Sequence, residues 1–195
     1  KMTNLVGEIT LKKNEVTSAE ISSKINHKND FSLSIKTNSR DEKVTNLFIE
    51  EPEPFIKNYK FIKGFTEGKL SYGSIEKNNE TKANLKIYDF KVQDVPVLAK
   101  LLTLASLQGI ADLLTGEGIR FNEFEMNYQS KQSLTNINEM YAIGPAISIL
   151  IEGYIEKNKL ISLKGTLVPA TTINKTISKI PLLGEILVGK KIGEG

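Results

Sequence analysis

Few residues of this chain have the types and spacing that catalysis needs. The single histidine, His27, sits in the polar run "NHKND" with Asn26, Lys28, Asn29 and Asp30. General acid–base work needs a structured pocket and a partner, whereas such a run reads as a solvated turn. A Ser–His–Asp arrangement would have to recruit this same histidine, and no G-x-S-x-G elbow occurs. Glu50, Glu51 and Glu53 lie close together but are interrupted by Pro52 and Pro54, without the Asp/Asn ladder and turn glycine of a calcium loop. They read as a charged extended loop or edge strand. Asp89 and Asp94 are five apart, but a hydrolytic carboxylate pair needs a cleft and a defined separation that the sequence does not supply, and Asp94 is placed to favour a helix starting at Pro96. The "GEG" triplets at 116–118 and 193–195 lack the strand–loop–helix context of a phosphate cradle. With no cysteine there is no disulfide framework or thiol chemistry. The expectation is a non-enzymatic protein without cofactor or metal.

The elements that remain are built from apolar strand surface. The 195 residues are 39% hydrophobic and 25% charged, and the formal net charge is +3. That composition is globular, with length enough for a sizeable apolar interior. Arginine is confined to Arg40 and Arg120, and the lysines are scattered among Glu, Asp and Asn. Nucleic-acid binders cluster Arg and Lys with aromatics, so no nucleic-acid partner is expected. No signal peptide is visible, and both ends read as cut, so the chain is taken as a piece of a longer protein.

Period-two alternation runs through the first ninety residues. "LVGEITL" puts Leu5, Gly7, Ile9 and Leu11 on one face; "AEISSKI" does so with Ala19, Ile21, Ser23 and Ile25; "FSLSIKT" with Phe31, Leu33 and Ile35. Such spacing predicts half-buried antiparallel strands. Further strands are expected near 43–50, 55–63, 65–76 and 84–92, with Asn-rich turns such as "HKND" and "EKNNET" between several of them. At Pro96 the period changes. Val97, Leu98, Leu101, Leu102 and Ala105, then Ile110, Leu113 and Leu114, recur at helical spacing over 97–114. Pro96 suits a first turn, Gly109 is expected to divide the run into two helices, and Gly116 or Gly118 to end it. Lys100, Gln108, Gly109 and Asp112 argue against a membrane span.

Strands resume at "GIRFNEFEMNY", where the apolar set slips from Ile119 and Phe121 to Phe124, Met126 and Tyr128; a β-bulge near Asn122–Glu123 would produce the slip. After "LTNINEMYAI" and the turn "GPA" comes the clearest hairpin. Ile147, Ile149, Ile151, Gly153 and Ile155 share one face, "KN" at 157–158 turns the chain, and Ile161, Leu163, Gly165 and Leu167 share the face of the returning strand. The opposite positions are largely polar. After Pro169, "ATTINKTISKI" reads as an amphipathic helix near 171–180 with Ile173, Ile177 and Ile180 on one side. Pro181 ends it, and "PLLGEILVG", with Leu182 and Leu183, begins another short turn or helix.

The order of these elements over about residues 84–195 carries a resemblance. A Pro-led helical pair, the G-x-G-I-x-F strand, the "GPA" turn, the "GTLVPA" strand end and the "IPLLG" motif resemble the AsmA-like C-terminal region of bacterial envelope proteins, the family of AsmA, TamB and YhdP, with the YhdP-type branch most similar. Residues 1–83 share only the style of repeated strands. The resemblance implies a mainly β fold: an elongated, twisted antiparallel sheet forming a hydrophobic groove, with 1–83 and 84–195 in one continuous sheet. It implies the periplasmic part of a protein anchored in the inner membrane, with the anchor outside this piece and a further strand expected beyond Gly195. Its partners would be phospholipid acyl chains, the outer membrane and an envelope protein.

The expected activity is therefore lipid binding in a bridge that moves phospholipid between membranes and maintains the outer-membrane barrier. Expected acyl contacts are Phe121, Ile147, Ile149, Ile151, Ile155, Ile161, Leu163 and Leu167. Leu98, Leu101, Leu102, Ile173, Ile177, Leu182 and Leu183 would frame the groove end. Two other readings stand beside it: an assembly module for outer-membrane proteins working through exposed strand edges, and a carbohydrate-active β-protein, for which tryptophan platforms are absent. The same alternation also fits a closed β-sandwich.

Overall fold

The computed structural model describes residues 1–13, 15–56 and 63–170. Ten strands are joined in simple succession: β1 (Met2–Lys12), β2 (Glu15–Ile25), β3 (Asn29–Thr37), β4 (Lys43–Ile49), β5 (Lys63–Lys77), β6 (Glu80–Gln93), β7 (Ile119–Lys131), β8 (Leu134–Ile143), β9 (Ile147–Glu156) and β10 (Leu160–Pro169). Each pairs antiparallel with the next, in one open sheet of order β1 to β10 that runs without a break across the boundary near residue 83. The alternation therefore builds a twisted antiparallel sheet with a hydrophobic groove, not a closed sandwich. Short turns suffice because consecutive strands are neighbours. At the β5–β6 hairpin Asn78 and Asn79 both take positive φ (52° and 59°), the two-residue geometry whose twist matches the strands.

Among the described residues three helices interrupt the meander: α1 (Glu53–Ile56), α2 (Pro96–Leu104) and α3 (Gln108–Thr115). The strand expected over 55–63 is corrected at its start, where Phe55 and Ile56 are helical and Phe55 stacks on Phe31 (centroids 5.8 Å apart); residues 57–62 lie outside the described residues. The helix expected near 171–180 and the elements after it also lie outside them.

Pro96 opens α2, and Gly116 caps α3. The break between the helices is not at Gly109, which lies inside α3, but at residues 105–107. Ser106 takes a left-handed φ of 59°, its N–H bonds the Thr103 carbonyl (3.0 Å), and the Leu107 N–H bonds the Leu102 carbonyl (2.8 Å). These are the paired bonds of a Schellman end, which satisfy the last carbonyls of α2. In the last turn of α3, the Leu114 carbonyl accepts the Asp94 N–H (3.0 Å), so the end of the helical pair is tied to the exit of β6.

The phase slip on β7 is real, but its origin differs from a one-strand bulge. Phe121 and Phe124 both reach the core, as do Ile87 and Phe90 on β6 and Phe65 and Leu70 on β5. The β6–β7 register stays in step through the slip, Tyr88 opposite Glu123 and Phe90 opposite Phe121, because both strands carry an additional residue there. Asp89 and, on β5, Glu67 and Gly68 take positive φ at the same level. Three adjacent strands thus change phase together. Unmatched residues lie elsewhere, as at Asn138 on β8, between the pairs Asn127–Glu139 and Tyr128–Ile137.

The closed core lies where the helical pair covers one end of this face. Leu102, Ala111 and Leu114 pack over Phe65, Phe90, Val92, Ile119, Phe121 and Ile147. Phe90 is the centre of the aromatic group, stacked on Phe65 (5.6 Å) and Phe121 (5.5 Å) and edge-on to Phe124 (6.5 Å).

Candidate functional site: an apolar lane across the strands

Cross-strand register converts ten separate alternations into one surface. Gly7 lies opposite Ile21, Ile21 opposite Leu33, Leu33 opposite Leu47, and Leu47 opposite Tyr72. The row continues through Leu85, Met126, Met140 and Ile151 and ends at Gly165 on β10. No charged residue interrupts it, and its eight members between the end glycines are all half-buried. At about 4.8 Å between strands the row runs roughly 43 Å, longer than the ~30 Å hydrocarbon core of a bilayer.

A parallel row lies toward the helices: Phe31, Ile49, Leu70, Ile87, Phe124, Ala142, Ile149 and Leu167. Another lies toward the hairpin turns: Ile9, Ala19, Ile35, Thr45, Ser74, Ala83, Tyr128, Ile137, Gly153 and Leu163. The three rows span four residues along each strand, about 14 Å. A fourth row forms the rim and is polar through its middle, with Lys43 opposite Glu76 (3.7 Å between charges) and the Ser130 and Thr135 hydroxyls bonded at 3.0 Å.

The predicted contact residues fall at different depths on this face. Phe121 and Ile147 (2% and 0% exposed) belong to the closed core beneath the helices, and Ile149 is buried at its margin. All three share one buried cluster with Leu102, Ala111 and Leu114 of the helices, so in this structure they are packed and not open to the groove. Leu167 and Ile151 are half-buried on the lane, and Leu163 is 43% exposed. Ile155 and Ile161 pair with each other in the rim row, where Ile161 is 67% exposed. Of the helix residues, Leu102 is fully buried and Leu98 packs against the core, whereas Leu101 is 44% exposed and faces away from it. Ile173, Ile177, Leu182 and Leu183 lie outside the described residues.

Sequence reading missed the middle of the lane, Leu47, Tyr72, Leu85 and Met140. Each is apolar at an alternating position, but only pairing shows that they align. Met126 opposite Met140 puts two flexible, polarizable side chains on the lane at β7 and β8, the kind that adapt to irregular apolar ligands. Tyr72 and Tyr128 bring their hydroxyls to 3.4 Å across β6. Burial, and then the bond to Tyr72, push the Tyr128 phenol up to about 12, so it stays protonated at neutral pH.

The opposite face is largely polar, although Tyr141, Ser148 and Val168 on it are buried. Glu125 accepts hydrogen bonds from Tyr141 (2.7 Å), Asn84 (2.6 Å) and Asn127 (3.2 Å) and pairs with Lys86 (3.1 Å); Tyr141 also reaches Glu123 (3.1 Å). Burial raises the Glu125 carboxyl, but these donors together outweigh it and hold it below the usual range. Tyr141 is pushed well above the ordinary phenol value, first by burial and then by the two carboxylates. A depression of about 560 Å³ also lies on this face, lined by Asn46, Gly73, Asn84, Asn127 and Gln129 among others.

The carboxylates singled out in the sequence hold loops. Glu51 accepts from Asn26 (2.8 Å) and Asn29 (2.7 Å), and Glu50 accepts the Asp30 N–H (3.0 Å) and pairs with Lys69 (3.2 Å). His27 is exposed in the β2–β3 turn with φ of 67°. Among the described residues no group of His, Cys, Asp or Glu could hold a metal ion, and no helix is long and apolar enough to cross a membrane.

Fold and site together define an open antiparallel sheet with one apolar and one polar face, closed at one end by a helical pair. Comparison with protein-family models, with curated proteins and with solved structures found no match to this chain.

Proposed function

We propose that this chain is a non-enzymatic lipid-binding segment of a periplasmic bridge, part of an inner-membrane-anchored envelope protein that carries phospholipid between membranes. The observation that supports this reading is the row from Ile21 to Ile151, apolar on eight consecutive strands and half-buried throughout. Each acyl CH₂ shielded from water contributes ~0.8 kcal/mol, so a lipid moves most easily along a path with no polar gap. A lane perpendicular to the strands provides one at constant depth, while headgroups stay in water beyond the Lys43–Glu76 rim. The resemblance of residues 84–195 to the AsmA-like region supports the same assignment.

Native mass spectrometry of the purified chain tests it. Co-purifying phospholipid is expected, and its loss in Ile151→Asp and Leu163→Asp variants that keep their circular dichroism. A chain that binds no lipid when mixed with dioleoylphosphatidylcholine in detergent would sink the proposal.

An assembly role through strand edges has one observation in its favour. On β1 the side chains of Leu5, Val6, Ile9 and Leu11 are all more than half exposed, and among the described residues this edge strand pairs only with β2. An exposed apolar edge is a template for another strand. Capture of an unfolded outer-membrane protein, lost on Val6→Pro but not on Ile151→Asp, would favour this reading over the first.

A further inference from the structure

The lane changes character at one place. In the row nearest the rim, Thr45 lies opposite Ser74, Ser74 opposite Ala83, and Ala83 opposite Tyr128. Ile35 precedes this group and Ile137 comes after it, so the row is apolar on both flanks and hydroxyl-bearing only across β4 to β7. Tyr72, from the central row, leans across to Tyr128, and buried Ala83 lies on the strand between them.

The hydroxyls of this patch have donors to spare within the protein. A phenol carries one donor and accepts through its oxygen. Tyr72 and Tyr128 meet only each other, at 3.4 Å, beyond the 2.5–3.0 Å range usual for hydroxyl pairs. One hydroxyl donates to the other, which leaves the acceptor's own O–H without a partner among the described residues. The hydroxyls of Thr45 and Ser74 have none there either. These hydroxyls are half-buried but still reach the surface, and beside apolar rows they can donate to the acceptors of an otherwise apolar ligand. The nearest ionised pair, Lys43 and Glu76, is already neutralised, so nothing here selects for net charge.

We propose that Tyr72 and Tyr128, with Thr45 and Ser74, form a station that binds the ester carbonyls of a two-chain glycerolipid while its acyl chains lie on the rows toward the helices. The proposal rests on the lipid-lane reading and adds what that reading lacks, a place where the lipid is held in register. Ester carbonyls lie between acyl chains and headgroup, just as the hydroxyls lie between the apolar rows and the polar rim. The Tyr128 phenol remains a donor at neutral pH because burial and its neighbour resist its ionisation.

The test compares dioleoylphosphatidylcholine with its diether analogue, which has the same headgroup and chains but no carbonyls. Binding to the intact chain is measured by titration in detergent, for the native protein and for Tyr72→Phe/Tyr128→Phe. The native chain is expected to prefer the ester lipid about fivefold, the effect of one net hydrogen bond. The double variant, which keeps both rings, is expected to bind the two lipids equally. The single variant Tyr72→Phe is expected to fall between them. Equal binding of both lipids by the native chain, or a preference that survives in the double variant, overturns the station and leaves the lane intact. Binding of neither lipid overturns the lane as well.

Discussion

Gly153 on β9 lies directly opposite Leu163 on β10, with a φ of 143° that side-chain-bearing residues rarely adopt. A Cβ there would come within 2.2 Å of the Ser162 carbonyl oxygen. Backbone strain and the clash act together, so Gly153→Ala is expected to cost at least about 2 kcal/mol. The urea midpoint should fall, with the loss of amide-exchange protection concentrated in β9 and β10. A change smaller than about 0.5 kcal/mol would mean that the close approach is not present in solution.

The hairpin around Gly153 was also the most legible part of the fold. Ile151 and Gly153, and Leu163 and Gly165, follow strict alternation on both sides of one short turn, so face and pairing could be read together. The strands before it were legible as strands, because Phe31, Leu33 and Ile35 repeat every two residues. Their alignment was not, since whether Leu47 stands opposite Tyr72 depends on loop lengths and on extra residues such as Asn138. The phase change at Phe121 shows in the pattern of β7 alone, but that Phe90 and Phe65 share it across three strands shows only in the pairing. Burial of Ile147 was equally hidden, because helices distant from it in sequence fold over it.

The helical pair gives a direct test of which residues close the lane's end. Leu102 is fully buried against the aromatic group, whereas Leu104, two positions later, is 73% exposed. Leu102→Ala is expected to cost about 2–5 kcal/mol and Leu104→Ala less than about 0.5 kcal/mol in urea denaturation. Similar effects at the two sites would show that α2 does not pack on the sheet through the face containing Leu102.

Gly109 offers the opposite sign. It is the second residue of α3, its φ is ordinary, and a Cβ would meet nothing within 4 Å. Alanine restricts the unfolded chain and favours the helix, so Gly109→Ala is expected to stabilise by about 0.5 kcal/mol. If Gly109 were the hinge between the helices, the same change would destabilise. Thermal melting distinguishes the two by the direction of the shift in Tm.

On the polar face, pH dependence isolates Glu125. Its folded pKa is lowered because the donors Tyr141, Lys86, Asn84 and Asn127 outweigh burial. A lowered carboxyl pKa stabilises the fold above the unfolded value, about 4.3, and that contribution is lost as pH falls through the folded value. Lys86 is raised, chiefly by its bond to Glu125, so its contribution is complete below its unfolded value, about 10.4, and lost as pH rises through the folded one. Between pH 6 and 9, a window inside those limits by more than about 1 unit, the network contributes without change. Glu125→Gln is therefore expected to lower Tm throughout that window, and the gap to the native chain should narrow as pH falls from 5 to 3, spanning the unfolded carboxyl value. Exposed carboxylates with lowered pKa, such as Glu67 beside Arg120, act equally in both proteins and cancel in the difference. A gap that stays constant from pH 7 to pH 3 would show that the Glu125 carboxylate is not held by charge-dependent hydrogen bonds.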